Sequence, residues 1–135
     1  MNICLLGNNL TNLVLANILL KKKINVDIIS HTNPSLLTNT VRTIAISNEN
    51  YKFLRENIKG ISNLGWPTEK IKIYSNKNNS SELFEFKNKY QRNFYLLKYS
   101  TLYNLMKKNK FLKFIKLKNY DLDVIKKLNY DLIIN

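Results

Sequence analysis

The chain has 135 residues, 44% of them hydrophobic and 11% aromatic, with 22 basic against 9 acidic side chains and a formal net charge of +13. That composition excludes a disordered tail or a collagen-like repeat, and the length suits one modest domain or a piece of a larger one. Of the 22 cations, 19 are Lys and three are Arg, and they are spread along the chain, so a dedicated nucleic-acid binder is not expected.

Asn (22) and Ile (15) are abundant together with Lys, as A/T-rich codons would make them, so the charge reads mostly as background. Cys4 is the single cysteine and His31 the single histidine, which excludes a disulfide framework, a CxxC metal pair and a multi-His zinc site. Residues 1–20 carry no charge, but Asn2, Asn8, Asn9, Asn12 and Asn17 interrupt them and no basic segment precedes them. A signal peptide or membrane span is therefore not expected, and a cytoplasmic protein is.

In chain order, Asn2–Leu6 reads as an apolar strand stopping at Gly7. Leu10 to Leu20 reads as an apolar helix, closing on Lys21-Lys22-Lys23 where cations complement the helix dipole. Asn25–Ile29 is a second strand, and strand–turn–helix–strand in this space is a βαβ unit with a parallel sheet. A polar loop over 31–39 leads to an extended run, Val41–Ile46, and then to Ser47 as N-cap of a helix with Tyr51, Leu54 and Ile58 on one face.

Gly60, Gly65 and Trp66-Pro67 punctuate the next stretch. Lys70–Tyr74 and Glu82–Phe86 alternate as an antiparallel hairpin around a loop at 75–81. Phe94–Lys98 is a strand, Ser100 is expected to cap a helix with Leu102, Leu105 and Met106, and Phe111–Leu117 is a further strand. A helical turn over Asp123–Leu128 and a strand over Tyr130–Ile134 complete an α/β pattern with an inserted antiparallel strand pair.

Dinucleotide-binding βαβ units place GxGxxG at the first turn, so that helix amides hold a pyrophosphate. Here the stretch is Gly7-Asn8-Asn9-Leu10-Thr11-Asn12. Only the first glycine is present, and Asn9 and Asn12 stand at the second and third positions. Asn9 is a partial substitute if the turn needs a left-handed residue. The acidic residue that binds ribose at the end of the second strand is replaced by Ser30, with Asp27 on the opposite face of the pleat. A βα turn in any α/β sheet is the alternative reading of this stretch.

Further along, Arg42-Thr43-Ile44-Ala45-Ile46-Ser47, then Phe53-Leu54, then Leu64-Gly65-Trp66-Pro67, resembles the N-terminal part of the FAD-dependent aromatic hydroxylases of ubiquinone biosynthesis. Ile71 and Ile73, Phe94–Leu97, Leu102–Leu105 and Tyr130–Ile134 follow in the order of that family. The resemblance implies a Rossmann-like, glutathione-reductase-like FAD-binding domain that is incomplete here. Residues 1–66 would form its βαβ portion, 67–98 the start of a substrate-binding β-sheet, and 99–135 the return to the FAD domain.

It implies FAD as cofactor, NAD(P)H as electron donor of the complete enzyme, and a small aromatic or polyprenylated quinone precursor as substrate. Gly7, Asn9, Leu10, Thr11 and Asn12 would face the pyrophosphate, Ser30 the ribose, and Arg42 the flavin. The family's proteins are several-fold longer, and their later Asp-Gly and Gly-Asp motifs do not occur in this chain. A truncated chain, inactive without the remainder of the enzyme or a complementing chain, is therefore expected. Peripheral membrane association would belong to the complete enzyme. The alternatives are a stand-alone nucleotide-binding protein and a non-catalytic, degenerate Rossmann-like scaffold or interaction module.

Overall fold

The computed structural model describes residues 1–30, 41–76, 81–87, 94–116 and 122–135. The expected loop at 31–39, the middle of the loop at 75–81 and the end of the strand reaching Leu117 lie outside the described residues. Strand β1 (Asn2–Leu6), helix α1 (Leu10–Lys21) and strand β2 (Asn25–Ser30) form the βαβ unit, with β1 and β2 parallel and Leu6 in register with Ile29. Strands β3 (Thr43–Ser47) and β4 (Trp66–Thr68) flank helix α2 (Asn48–Asn57) and a 3₁₀ turn at Ile61–Asn63. The hairpin follows as β5 (Lys70–Tyr74) and β6 (Glu82–Lys87), then β7 (Phe94–Lys98), α3 (Tyr99–Lys107), β8 (Lys113–Lys116), α4 (Leu122–Lys126) and β9 (Leu132–Ile134).

Three sheets result. The parallel sheet runs β8-β2-β1-β9, an antiparallel sheet runs β3-β7-β4, and β5 and β6 pair as a two-stranded ribbon with a bulge at Ile73/Tyr74. On one face of the parallel sheet Ile3, Leu5, Val26 and Ile28 meet Leu13 and Ala16 of α1, and this core continues into Tyr51, Leu97, Leu102, Tyr103 and Met106. The other face buries Cys4, Leu6, Ile29 and Ile125. Helix α1 is apolar nearly all round because it packs on β1, β2, α2 and α3 together. On the ribbon, Lys70 and Lys72 pair with Glu85, while the apolar side chains Ile73, Phe84 and Phe86 stay exposed.

Several local expectations are corrected. Ser100 does not cap α3: the helix starts at Tyr99, Lys98 occupies the cap position without a side-chain bond, and the Tyr99 amide donates to the Arg42 carbonyl at 2.8 Å. A neighbouring segment thus satisfies the first amide of the helix, one of the donors that a helix start leaves open. Ile58 follows α2 as its C-cap, outside the helix, while staying buried in the same core as Tyr51 and Leu54. Ser47 caps α2 as expected, its Oγ accepting from the Asn50 amide at 3.2 Å.

The lysine run at the end of α1 builds a left-handed helix stop. Lys23 adopts φ 60°, its amide donates to the Leu20 carbonyl at 2.9 Å, and the Ile24 amide donates to Leu19 at 3.0 Å. This is the bonding of a Schellman motif, where glycine is the usual occupant.

Candidate functional site

Ligands in open parallel sheets sit beyond the carboxyl ends of the strands. Here β1 ends at Gly7, whose φ of 95° is a conformation suited to glycine. Its amide donates to the Ile29 carbonyl at 2.7 Å, which draws the turn against the end of β2 and so towards Ser30. Ser30 is buried there. Gly7, Asn9, Leu10, Thr11, Asn12 and Ser30 thus gather at one edge of the parallel sheet.

Asn9 is not a left-handed stand-in for glycine. It lies in extended backbone at φ −72°, ψ 167° as the N-cap of α1, and its Oδ1 accepts from the Asn12 amide at 2.9 Å. Asn12, at the third glycine position, is buried, and its Nδ2 donates to the carbonyls of Leu6 at 2.7 Å and Gly7 at 2.9 Å. A family glycine here would let helix and strand approach closely. Asn12 instead pins α1 to the end of β1 with two hydrogen bonds.

The arrangement fits a diphosphate in part. The amides of Leu10 and Thr11 have no intrahelical acceptor, and the helix dipole adds positive potential at the same point. Asn9 already caps the third donor, but its side chain is exposed and can exchange that bond for a phosphate oxygen. The ribose end has no carboxylate from β2: Asp27 lies lower on the strand, its Oδ2 accepting from the Tyr130 hydroxyl at 2.8 Å. Burial, then the bond to Asp27, pushes the Tyr130 phenol upward.

Arg42 stands apart from this loop in sequence and sheet. It directly precedes β3, its guanidinium lies 5.8 Å from the Tyr99 ring centre, and it is exposed. No described hydrogen bond or ion pair joins it to residues 7–12 or Ser30. Tyr99 in turn stacks on the fully buried Tyr103 at 6.0 Å, and Tyr95 stacks on Tyr51 at 3.8 Å, so these rings are packing residues.

Sequence reasoning missed Lys116, which ends β8 as the register partner of Ser30. Only the strand pairing reveals it, because 86 positions separate the two residues in the chain.

Two clefts among the described residues lie elsewhere. One of about 810 Å³ opens at the opposite end of the parallel sheet, bordered by Asn2, Asn25, Asp27, Lys113 and Tyr130. Another of about 740 Å³ lies near the ends of α1, α2 and α3, bordered by Lys21, Arg55 and Lys108. Cys4 is buried, and burial, helped by Asp27, pushes its thiol up to about 11, so it is no nucleophile at neutral pH. Among the described residues there is no cluster of three potential metal ligands, and no helix is long and apolar enough to cross a membrane.

No protein-family model and no curated protein matches the sequence. Solved structures do match in fold. The chain is similar to 2,6-dihydroxypyridine-3-hydroxylase from Arthrobacter nicotinovorans, at TM-score 0.59 and 15% identity, covering 84% of this chain and 28% of that one. It is similar to Pseudomonas aeruginosa PqsL at TM-score 0.62 and 11% identity, covering 86% and 32%. It is also similar to a Klebsiella pneumoniae HpxO variant complexed with FAD, at TM-score 0.57 and 13% identity, covering 84% and 31%. The chain spans about a third of the length of these proteins. At such identities the likeness shows the fold: an α/β, Rossmann-like architecture shared with FAD-dependent monooxygenases.

Proposed function

We propose that this chain is the N-terminal, FAD-binding portion of an FAD-dependent monooxygenase. The observation that carries the reading is the α1 terminus. A positive-φ glycine and the Leu10 and Thr11 amides stand at the carboxyl edge of a β8-β2-β1-β9 parallel sheet, in the fold of FAD-dependent hydroxylases. In this reading residues 7–12 bind the diphosphate and Arg42 approaches the flavin once the remaining polypeptide completes the site. FAD, when bound, supplies the redox chemistry with dioxygen, and the protein orients it and excludes water.

The substrate class we propose is an aromatic, quinone-forming precursor of the ubiquinone type, suited to the apolar ribbon face of Ile73, Phe84 and Phe86. The electron donor would be NAD(P)H. Hydroxylation requires the rest of the enzyme or a complementing chain.

Purified chain should gain thermal stability on adding FAD, because a ligand that binds only the folded state stabilises it. Arg42→Ala should weaken that effect more than Arg55→Ala, which lies at the end of α2. Equal losses would remove Arg42 from the flavin site. The absence of any FAD-dependent shift would favour the second reading, a non-catalytic Rossmann-like scaffold. What favours that reading is that Asn9 and Asn12 already engage each other and the β1 end.

A further inference from the structure

The C-terminal ends of α1, α2 and α3 border the cleft of about 740 Å³. Lys21, Arg55, Lys59 and Lys108 line it, with Glu56 as the one acid among the described lining residues. Four cations against one acid leave an excess of three positive charges. Each helix end opposes this with about half a negative charge, about −1.5 for the three, so the cleft stays positive. A concave wall focuses that field on whatever enters.

Lys21 is engaged: its Nζ donates to the Glu56 carbonyl at 2.9 Å, an acceptor that the last turn of α2 leaves open. Arg55, Lys59 and Lys108 are exposed, and no described hydrogen bond or ion pair occupies their side chains. One wall is braced by amides. Asn17 donates through Nδ2 to the Met106 carbonyl at 3.1 Å and accepts from Asn109 Nδ2 at 3.0 Å, tying α1 to the end of α3. Asn109 Oδ1 then accepts from the Phe111 amide at 3.1 Å. That bracket holds Phe111 at the cleft, 68% exposed, beside the apolar lining residues Leu20, Ile58 and Leu105.

We propose that this cleft binds a phosphorylated ligand with an apolar portion. Arg55, Lys59 and Lys108 take the phosphate, and Phe111 and Leu105 take the apolar part. A phosphomonoester carries about −1.5 to −2 charges at neutral pH, which suits three unpaired cations better than a single carboxylate does. The cleft lies at the opposite end of α1 from Gly7 and Asn9, about 17 Å along the helix, so it is independent of the FAD reading. The phosphate can belong to a soluble molecule or to a lipid headgroup, and the test separates the two.

The test is calorimetric titration of the full chain with phenyl phosphate, inorganic phosphate and benzoate. Phenyl phosphate should bind about tenfold tighter than either of the others at low salt, and the gap over benzoate should narrow as salt rises. Lys59→Gln and Lys108→Gln should each weaken phenyl phosphate about fivefold. Lys98→Gln, which removes the same charge at the other end of α3, should change it by less than about twofold. Phe111→Ser should weaken phenyl phosphate and leave inorganic phosphate within about twofold. All four side chains are exposed, so the variants should unfold at the parent's midpoint without a probe.

Vesicles of phosphatidylcholine with and without phosphatidic acid identify the source. Sedimentation with the phosphatidic acid vesicles alone, blocked by phenyl phosphate, assigns the site to a lipid headgroup. Phenyl phosphate binding without sedimentation assigns it to a soluble ligand. Either result upholds the proposal. No saturable binding of phenyl phosphate at millimolar concentration overturns it, and so does binding of inorganic phosphate or benzoate that is equally tight. Equal losses in Lys59→Gln, Lys108→Gln and Lys98→Gln also overturn it, because they would report net charge alone.

Discussion

Gly65→Ala should destabilise the fold by about 2–4 kcal/mol, although most glycine-to-alanine changes at permitted backbone angles stabilise by about 0.4–1 kcal/mol. Gly65 is not in the left-handed region, so the backbone itself accepts alanine. The obstacle is Tyr51: an added Cβ would lie 2.8 Å from its Cε2 and 2.9 Å from both Cζ and the hydroxyl oxygen. That ring has no slack. It is 2% exposed, stacks on Tyr95 at 3.8 Å, and donates its hydroxyl towards the carbonyls of Ile61 at 3.2 Å and Ser62 at 3.1 Å.

Relieving the overlap takes a shift of more than half an ångström. Overpacking of this kind costs about 1–3 kcal/mol, and a strained or lost buried hydroxyl bond adds about 1 kcal/mol. For a chain of this length each kcal/mol moves Tm by about 3.5 °C, so the expected fall is about 7–14 °C. Thermal and urea unfolding of Gly65→Ala, Tyr51→Leu and the double variant form the assay. Leucine removes the ring, so the double variant should be more stable than the sum of the single losses by about 1 kcal/mol or more. Additive losses, or a Gly65→Ala protein within about 0.5 kcal/mol of the parent, would refute the steric account.

Lys23→Gly should stabilise the chain by about 0.5–1 kcal/mol, because a left-handed lysine costs about 1–2 kcal/mol and glycine returns part of that gain to the unfolded state. An unchanged or lower urea midpoint would show that Lys23 makes a compensating contact. Cys4 gives a pH dependence. Its folded pKa, about 11, lies above the reference value of 9.0, so its contribution is complete below pH 9 and is lost as pH rises through about 11. Two pKa units correspond to about 2.7 kcal/mol at most. Urea midpoints should therefore fall between pH 9 and 11, with a shallower fall in Cys4→Ala. A slope identical in the two proteins would place the alkaline sensitivity elsewhere.

The βαβ unit was legible because its signals are local and agree: an apolar strand, a glycine turn, an apolar helix and a second apolar strand. The hairpin was legible for the same reason, since Lys70–Tyr74 and Glu82–Lys87 alternate in period two. Strand β4 was not. Trp66–Thr68 is three residues long and contains Pro67, and it is a strand only because β7 arrives to pair with it. Ser100 misled for a related reason: a sequence shows which side chains can cap a helix, whereas the carbonyl of Arg42 came from a different strand end.

The phosphate loop shows where residue type and backbone role part company. Asn at a glycine position suggests a left-handed turn, because that is the conformation both residues share. Asn also accepts a helix amide through its side chain, which glycine cannot do, and Asn9 uses that second property in extended backbone. Asn12 reaches a similar end by another route, replacing close approach with two hydrogen bonds to the carbonyls that close β1. These hydrogen bonds keep the helix terminus aligned with the end of β1. What the loop no longer has is the close backbone approach that those glycines permit.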